Sequence, residues 1–321
     1  MTVKVTKPAL NLREELSSLK KPSGVAGEAM LRAETPQEQF NLIGAGRKNL
    51  IINGGFDVWQ RGTSFSSPNN YTADRWTASD QNGTATVSYY DDAGVNTLKF
   101  DQTVASTNYL PNIVHKLEFP KRYSGKTVTL SIRAKASKEV ALSTFFYSTT
   151  AGTYSPYTAI GSVNTNYTTL TYTITIPDLS SEAGNSIDIY IGLPMNDTYT
   201  VYFDYVQLEL GSVATPFEHR SYGEELALCQ RYYYRVIPLS ATNGTYLSSH
   251  EYIGATNCRL HVPFPTTMRT TPTISSGGWT DGTPSTQGIT PNGVDFYHSS
   301  YFRMYVINGS STAYINADAE L

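Results

Sequence analysis

The sequence predicts an all-β protein, with a jelly-roll-type β-sandwich, a smaller C-terminal β-sandwich domain, and a short helical or extended arm in front of them. Apolar and polar residues alternate over 128–132, 172–176 and 187–193, which indicates strands with one buried face. Asn-Gly pairs, a strong hairpin signal because both residues tolerate positive φ, recur at 53–54, 82–83, 243–244, 292–293 and 308–309. Charged residues make up only 16% of the chain, below the level of an average soluble protein.

The first 48 residues differ in character from the rest. Leucines at positions 12, 16 and 19 form one apolar stripe of a short helix. A second helix is predicted over 35–43, where Thr35 is the N-cap and Pro36 occupies the first helical position. Two helices this short cannot bury a core alone. We therefore interpret residues 1–48 as an attachment or oligomerisation arm, with a disordered leader as the alternative.

Two β domains are predicted after the arm. Strand patterns begin at Asn49 and continue to 201–211, and the Pro- and Gly-containing segment 211–223 marks a boundary. The first domain is therefore assigned to residues 49–221. The second, 222–321, begins with a short amphipathic helix around 224–230. It continues with strands at 231–236, 258–264, 301–307 and 312–321, and a long loop or pair of loops over 273–293.

Composition argues against several kinds of partner. The net charge of −3 is not that of a nucleic-acid-binding face, which needs dense positive charge. No run approaches the roughly 20 apolar residues that cross a bilayer, and the start lacks the apolar core of a secretory signal. Cys229 and Cys258 are too few for a disulfide scaffold, and their redox state is left open.

The sequence contains no recognisable catalytic motif. Its five histidines are scattered and none has metal-ligand spacing. A nucleophile elbow, a P-loop and a dinucleotide fingerprint are all lacking. We therefore expect a protein without enzymatic activity and without a required cofactor.

Several segments resemble those of phage tail fibres. NLIINGGFDVWQRGTSF (49–65) and YTADRW (71–76) resemble the first strand and loop of their β-sandwich domains. GKTVTLSIRAKAS (125–137) is similar to the central core strand, and residues 201–235 are similar to a recurrent exit segment. The same sandwich resembles carbohydrate-binding modules of the jelly-roll type. PTTMRTTPTI (265–274) and the final YINADAEL resemble the closing part of phage fibre chains.

The resemblance implies a non-catalytic virion protein, made in the host cytoplasm and displayed on the outer surface of the particle, on the tail rather than the capsid. It implies a homotrimer that binds other virion proteins through residues 1–48 and recognises a glycan of the host surface. The alternatives are a head fibre or decoration protein with a purely structural role, and a glycan-degrading tail spike.

The resemblance to carbohydrate-binding modules also raises a structural calcium site. In such sandwiches one acid on the first strand and one on the last can share Ca²⁺, which takes six to eight oxygen ligands. Asp57 and Asp204 occupy these positions here. The alternative is that each is a hydrogen-bonded or exposed aspartate.

Three residues in the fibre-like motifs are interpreted as structural. Trp59 and Trp76 lie next to the predicted first strand, where an indole is expected to anchor a core or an interface. Arg75 is expected to pair with Asp74 or Asp57 in a satisfied polar cluster.

Aromatic residues of the C-terminal domain are the predicted glycan-binding residues. Trp279 lies among glycines in SSGGWTDG (275–282), which suits an exposed ring that stacks on a sugar. Tyr297 and Tyr301 are predicted to extend this surface. Packing of Trp279 across a trimer interface is the competing interpretation.

Overall fold

The computed structural model describes residues 47–148, 152–153, 157–179, 186–236, 250–252, 258–277, 296–298, 301–306 and 314–321. The chain divides into two compact units, residues 1–48 and residues 49–321. The two helices predicted for the arm lie outside the described residues. Within the described part of the chain, no helix is long and apolar enough to cross a membrane.

One face of the sandwich is a six-stranded antiparallel sheet, called sheet I. Its order is β1 (Ser64–Ser66), β3 (Thr84–Asp92), β4 (Val95–Val104), β12 (Tyr199–Leu210), β6 (Thr127–Ala136) and β10 (Thr168–Thr175). Strand β12 lies at the centre, paired with β4 on one side and β6 on the other.

The opposite face is a second antiparallel sheet, called sheet II. Its order is β2 (Trp76–Ser79), β5 (Asn112–Glu118), β11 (Ser186–Gly192), β7 (Val140–Ser148) and β8 (Gly152–Thr153), and β9 (Thr158–Val163) also pairs with β7. A 3₁₀ helix, Pro120–Tyr123, follows β5.

The alternating residues fill the space between the two sheets. Val128, Leu130 and Ile132 of β6 are buried against residues of β11 such as Ile189 and Ile191, in one continuous core. The polar residues between them, such as Thr129 and Ser131, face away from this core, as the period-two pattern predicts, although they are also buried. The predicted all-β, jelly-roll-type sandwich is confirmed.

Residues 49–60 do not form the predicted first strand. Asn53 has a φ of 58°, and its side-chain amide donates to the carbonyls of Val58 and Asp74 at 2.8 and 2.9 Å. Its amide oxygen accepts the Val58 N–H. Two main-chain hydrogen bonds connect the segment to β12, one from the Leu50 N–H to the Leu208 carbonyl and one from the Val206 N–H to the Gly54 carbonyl, both 2.8 Å long. Polar side chains therefore hold it as a compact loop, and the first strand begins only at Ser64.

The Asn-Gly pairs that are described are not hairpins, contrary to the prediction. Asn53-Gly54 lies in this loop, and Asn82-Gly83 connects β2 of sheet II to β3 of sheet I. The β3–β4 hairpin instead turns at Ala93 and Gly94, whose φ values are both positive. The other three pairs lie outside the described residues.

Helix α1 (Tyr222–Gln230) confirms the predicted helix but not its amphipathic character. Its buried residues are Glu225 and Cys229, so a carboxylate faces the interior. The Ser221 side chain caps the helix by accepting the Glu224 N–H.

The C-terminal residues form two small antiparallel sheets. One has the order β13 (Tyr233–Val236), β19 (Tyr314–Asp318), β16 (Thr273–Gly277), and the other β14 (His250–Tyr252), β15 (Cys258–Pro263), β18 (Tyr301–Val306), β17 (Phe296–His298). The predicted loop over 273–293 is therefore wrong at its start, because β16 occupies 273–277.

A buried ion cluster joins the sandwich to the end of the chain. The Arg75 guanidinium pairs with Glu320, donates to the Lys116 carbonyl at 2.6 Å and lies 3.6 Å over the Tyr232 ring. The expected pairing of Arg75 with Asp74 or Asp57 is therefore wrong. Asp74 is taken by another cation, Arg61, at 3.1 Å.

Candidate functional site

The outer face of sheet II carries a group of aromatic residues in cross-strand register. Ile189 and Ile191 point into the core, so the residue between them, Tyr190, points outward. The register places Tyr190 directly opposite Phe145 of β7 and Val114 of β5. Directly opposite residues have their side chains on the same face.

Three rings lie together at this position. The Phe145 and Tyr190 rings are stacked, with centroids 4.1 Å apart and planes 11° apart. The Tyr157 ring lies 4.9 Å from that of Phe145, at 38°, and Tyr157 is 44% exposed. We call these three residues the aromatic platform.

Polar residues flank the aromatic platform along the strands. The next outward positions are Asn112, Gly192 and Ser143 on one side, and Lys116, Asp188 and Tyr147 on the other. The Ser143 hydroxyl donates to the Gly192 carbonyl at 3.3 Å, and Asp188 accepts a hydrogen bond from the Ser186 hydroxyl at 2.6 Å. An apolar centre between polar rows can therefore stack on a ligand and hydrogen-bond its edges.

Gly192 makes room for the third ring. A Cβ at this position would overlap the Tyr157 hydroxyl and crowd the Ser143 hydroxyl. A glycine inside a strand often marks a close approach of another group, and here that group is the Tyr157 phenol.

Both tyrosines of the aromatic platform remain neutral phenols at physiological pH. Burial raises the pKa of Tyr190, and the nearby Asp188 carboxylate adds to this effect. Burial also raises the pKa of Tyr157, and this effect outweighs a hydrogen bond with Ser143 that lowers the pKa. Each phenol therefore keeps an O–H group for donation.

The two motif tryptophans take part in the packing of the sandwich. Trp76 is fully buried, its N–H donates to the Asn53 carbonyl at 2.9 Å, and its ring lies 5.1 Å from that of Phe56. Trp59 is half-buried and donates to the Phe56 carbonyl at 2.7 Å. Its ring lies edge-on to that of Tyr89 at 6.1 Å.

The two predicted calcium ligands have different partners. Asp57 accepts a hydrogen bond from the Asn96 amide at 2.5 Å, whereas Asp204 pairs with Arg133. Burial raises the pKa of Asp204 to about 6. Within the described residues, no three or more His, Cys, Asp or Glu side chains are grouped for a metal ion. A calcium site at Asp57 and Asp204 stays a prediction.

The aromatic platform consists of residues other than the three predicted to bind glycan, Trp279, Tyr297 and Tyr301. Trp279 lies outside the described residues. Tyr297 lies in β17 and Tyr301 in β18, two strands that pair with each other. Their contact with a ligand stays a prediction.

Phe145, Tyr157 and Tyr190 are not among the site residues predicted from the sequence. The sequence does indicate the direction of Tyr190, because this residue lies between two isoleucines of the alternating run 187–191 and therefore faces away from the core. Phe145 is followed directly by Phe146 and Tyr147, so its direction was ambiguous. Tyr157 reaches the other two rings only through the tertiary fold.

The chain is similar in structure to several solved proteins. No protein-family model matches the chain, and no curated protein matches it. The chain is similar to a solved CBM4 module, with 22% identity over 50% of this chain and 99% of the module, at a TM-score of 0.33. It is similar to the CBM22-1 xylan-binding domain from Paenibacillus barcinonensis, with 16% identity over 47% of this chain and 94% of that domain, at a TM-score of 0.33. A bacteriophage CBA120 tailspike domain is 14% identical over 50% of this chain and 21% of that one, at a TM-score of 0.34.

Proposed function

We propose that this chain is a non-catalytic glycan-binding protein and that the aromatic platform of sheet II is its binding site. The observation that carries the proposal is the Phe145–Tyr190 stack, extended by the exposed Tyr157 ring and flanked by polar rows. A sugar ring presents C–H groups on its faces and hydroxyls at its edges, and this surface offers the matching chemistry to both.

The expected ligand is a neutral sugar chain. The two phenols are uncharged, and the Lys116 ammonium is directed to the main-chain carbonyl of Leu321 at 2.8 Å. Three rings on an open sheet face bury only a small area of a sugar chain, so one platform is expected to bind weakly. Display of several copies on one assembly raises the overall affinity through effective concentration.

In this proposal the protein lies on the outside of a phage particle, as part of a tail fibre. The support is the resemblance of residues 49–65, 125–137 and 201–235 to tail-fibre segments. Residues 1–48 attach the chain to other virion proteins, and a homotrimer displays three platforms to the host surface. A head-fibre or decoration role uses the same fold without a defined receptor.

The direct test is titration calorimetry of the full chain against a panel of neutral oligosaccharides. We expect saturable binding of at least one of them, weakened about tenfold or more by Tyr190→Ala. Tyr90→Ala is the matched control, because Tyr90 is a 41% exposed strand tyrosine on sheet I. Loss of binding in the control with retention in Tyr190→Ala would contradict the proposed site.

Two further measurements separate the alternatives. Antibody-gold labelling of intact particles is expected at the tail, whereas gold over the capsid would favour the decoration role. Incubation with host polysaccharide is expected to release no reducing ends, and their appearance would indicate a glycan-degrading spike.

A further inference from the structure

A pocket of about 170 Å³ opens where the β3–β4 hairpin and residues 217–220 meet β12 of sheet I. It is separate from the aromatic platform, which lies on sheet II. Its lining includes Asp57, Asn96, Tyr205, Phe217, Glu218 and His219. The volume is much larger than one water molecule needs, so a small organic group fits.

Three rings form one wall of the pocket. The Tyr205 and Phe217 rings are stacked, with centroids 4.5 Å apart and planes 17° apart. The exposed His219 ring stands nearly perpendicular to both, at 5.1 and 5.0 Å. The faces of the Tyr205 and Phe217 rings can attract a cation through their quadrupole.

Negative charge is in excess around the pocket. Three lining carboxylates, those of Asp57, Glu218 and Glu225, face one lining guanidinium. That guanidinium, Arg220, lies 3.2 Å from Glu225 and 3.8 Å from Glu218. Among the described residues, no lysine or arginine forms an ion pair with Asp57, whose hydrogen-bond donor is the neutral Asn96 amide.

A second cation near the wall is already neutralised. The Arg133 guanidinium lies 5.4 Å from the centroid of the Tyr205 ring, but it pairs with Asp204. Among the described residues, the Asp57 carboxylate therefore has room for a cationic partner from a ligand. A bare metal ion, which requires six to eight oxygen ligands, is a poorer match than an organic cation for a pocket with one aromatic wall.

We infer that this pocket binds a compact organic ammonium group, held between the aromatic wall and the Asp57 carboxylate. An amino sugar and a quaternary alkylammonium headgroup both carry this chemistry. The chain would then have two ligand sites of different chemistry, a neutral-sugar platform on sheet II and an ammonium pocket on sheet I.

The test is an NMR titration of the full chain with glucosamine, N-acetylglucosamine and choline as probes. We expect glucosamine to shift the His219 resonances saturably and N-acetylglucosamine, which lacks the charge, to bind at least fivefold more weakly. Choline binding as tight as that of glucosamine would identify the ammonium rather than the sugar ring as the determinant. Equal binding of glucosamine and N-acetylglucosamine would overturn the inference.

Variants place the binding in this pocket. Asp57→Asn, which is nearly isosteric, is expected to weaken glucosamine binding five- to tenfold, and Phe217→Ala serves as a second variant on an exposed loop. Asp197→Asn is the matched control, because Asp197 is partly exposed and pairs with Lys138. Unchanged glucosamine binding in both pocket variants would contradict the inference. It would also be contradicted if the native chain bound Ca²⁺ but not glucosamine, and Asp57→Asn abolished the Ca²⁺ binding. Neutral oligosaccharide binding is expected to be unaffected by either variant, so failure here is distinguishable from failure of the sheet II site.

Discussion

Gly192 shows how one residue determines the shape of the candidate site. It lies in β11 next to the outward positions of Tyr190 and Ser143, and its missing side chain leaves the space that the Tyr157 phenol occupies. With a larger residue, Tyr157 has to move away from the Phe145 ring. The aromatic platform would then lose its exposed third ring.

Gly192→Ala is therefore expected to weaken binding of a neutral oligosaccharide about fivefold or more. The added methyl group also crowds a packed surface, which typically costs about 1–3 kcal/mol. Calorimetric titration and thermal unfolding measure the two effects. Gly223→Ala is the control, because a Cβ there meets nothing within 4 Å. An unchanged affinity in Gly192→Ala would show that the Tyr157 ring does not contribute.

Single residues were predictable from the sequence only where a local pattern constrains them. The outward direction of Tyr190 follows from its isoleucine neighbours. The ion-pair partner of Arg75 could not be predicted in this way, because Glu320 is 245 positions away along the chain, whereas Asp74 is the neighbour of Arg75. Burial of a charge demands a partner, but local sequence does not reveal which of several carboxylates will reach it.

Helix α1 connects the sandwich to the C-terminal sheets through a buried carboxylate. Glu225 accepts a hydrogen bond from the Asn53 N–H at 2.5 Å and another from Arg220 at 3.2 Å. Arg220 in turn donates to the Ile51 carbonyl at 3.0 Å. One helix position thereby holds the loop of residues 49–60 in place.

Glu225→Ala is expected to lower the free energy of unfolding by about 3–5 kcal/mol, because the buried Arg220 guanidinium loses its nearer carboxylate and keeps only Glu218, 3.8 Å away, as an ion-pair partner. Urea unfolding of the full chain measures this change. Glu224→Ala, one position earlier on the same helix and less buried, is expected to cost less than about 1 kcal/mol. Equal effects of the two substitutions would show that Glu225 does not hold the loop.

Regular strands such as β6 and β11 were predictable because apolar residues that face the core alternate with polar residues that face away from it. The loop of residues 49–60 could not be predicted, because its apolar residues suggest a strand. Asn53 and Phe56 both adopt positive φ, and this conformation depends on hydrogen bonds with residues distant in the chain. Propensity patterns do not contain such contacts.

The molecule as a whole is joined by the ion cluster between the sandwich and the chain end. Its buried carboxylate Asp74 lies beside Arg61, yet burial dominates and raises the pKa of Asp74 to about 7. The folded protein therefore holds a proton there that the unfolded chain releases near pH 3.8. The stability that this proton contributes is present below pH 3.8 and is lost as the pH rises to about 7.

Comparison of the native chain with Asp74→Asn isolates this effect, because the other titrating groups are shared. The unfolding free energy of the native chain, relative to the variant, is expected to fall by about 1 kcal/mol per pH unit between pH 4 and 7. Above pH 7 the difference should be constant. Urea unfolding at unit pH intervals measures it, and a difference that rises with pH would contradict the raised pKa.

The proposed function requires that a neutral glycan binds to sheet II rather than to sheet I. Its most direct test is NMR of the full chain with labelled tyrosine rings, assigned by Tyr→Phe variants, during titration with the neutral oligosaccharide that binds best. We expect the Tyr157 and Tyr190 resonances to shift with saturation, while those of Tyr90 and Tyr202 on sheet I stay unchanged. Shifts confined to Tyr90 and Tyr202, with none at Tyr157 or Tyr190, would contradict it.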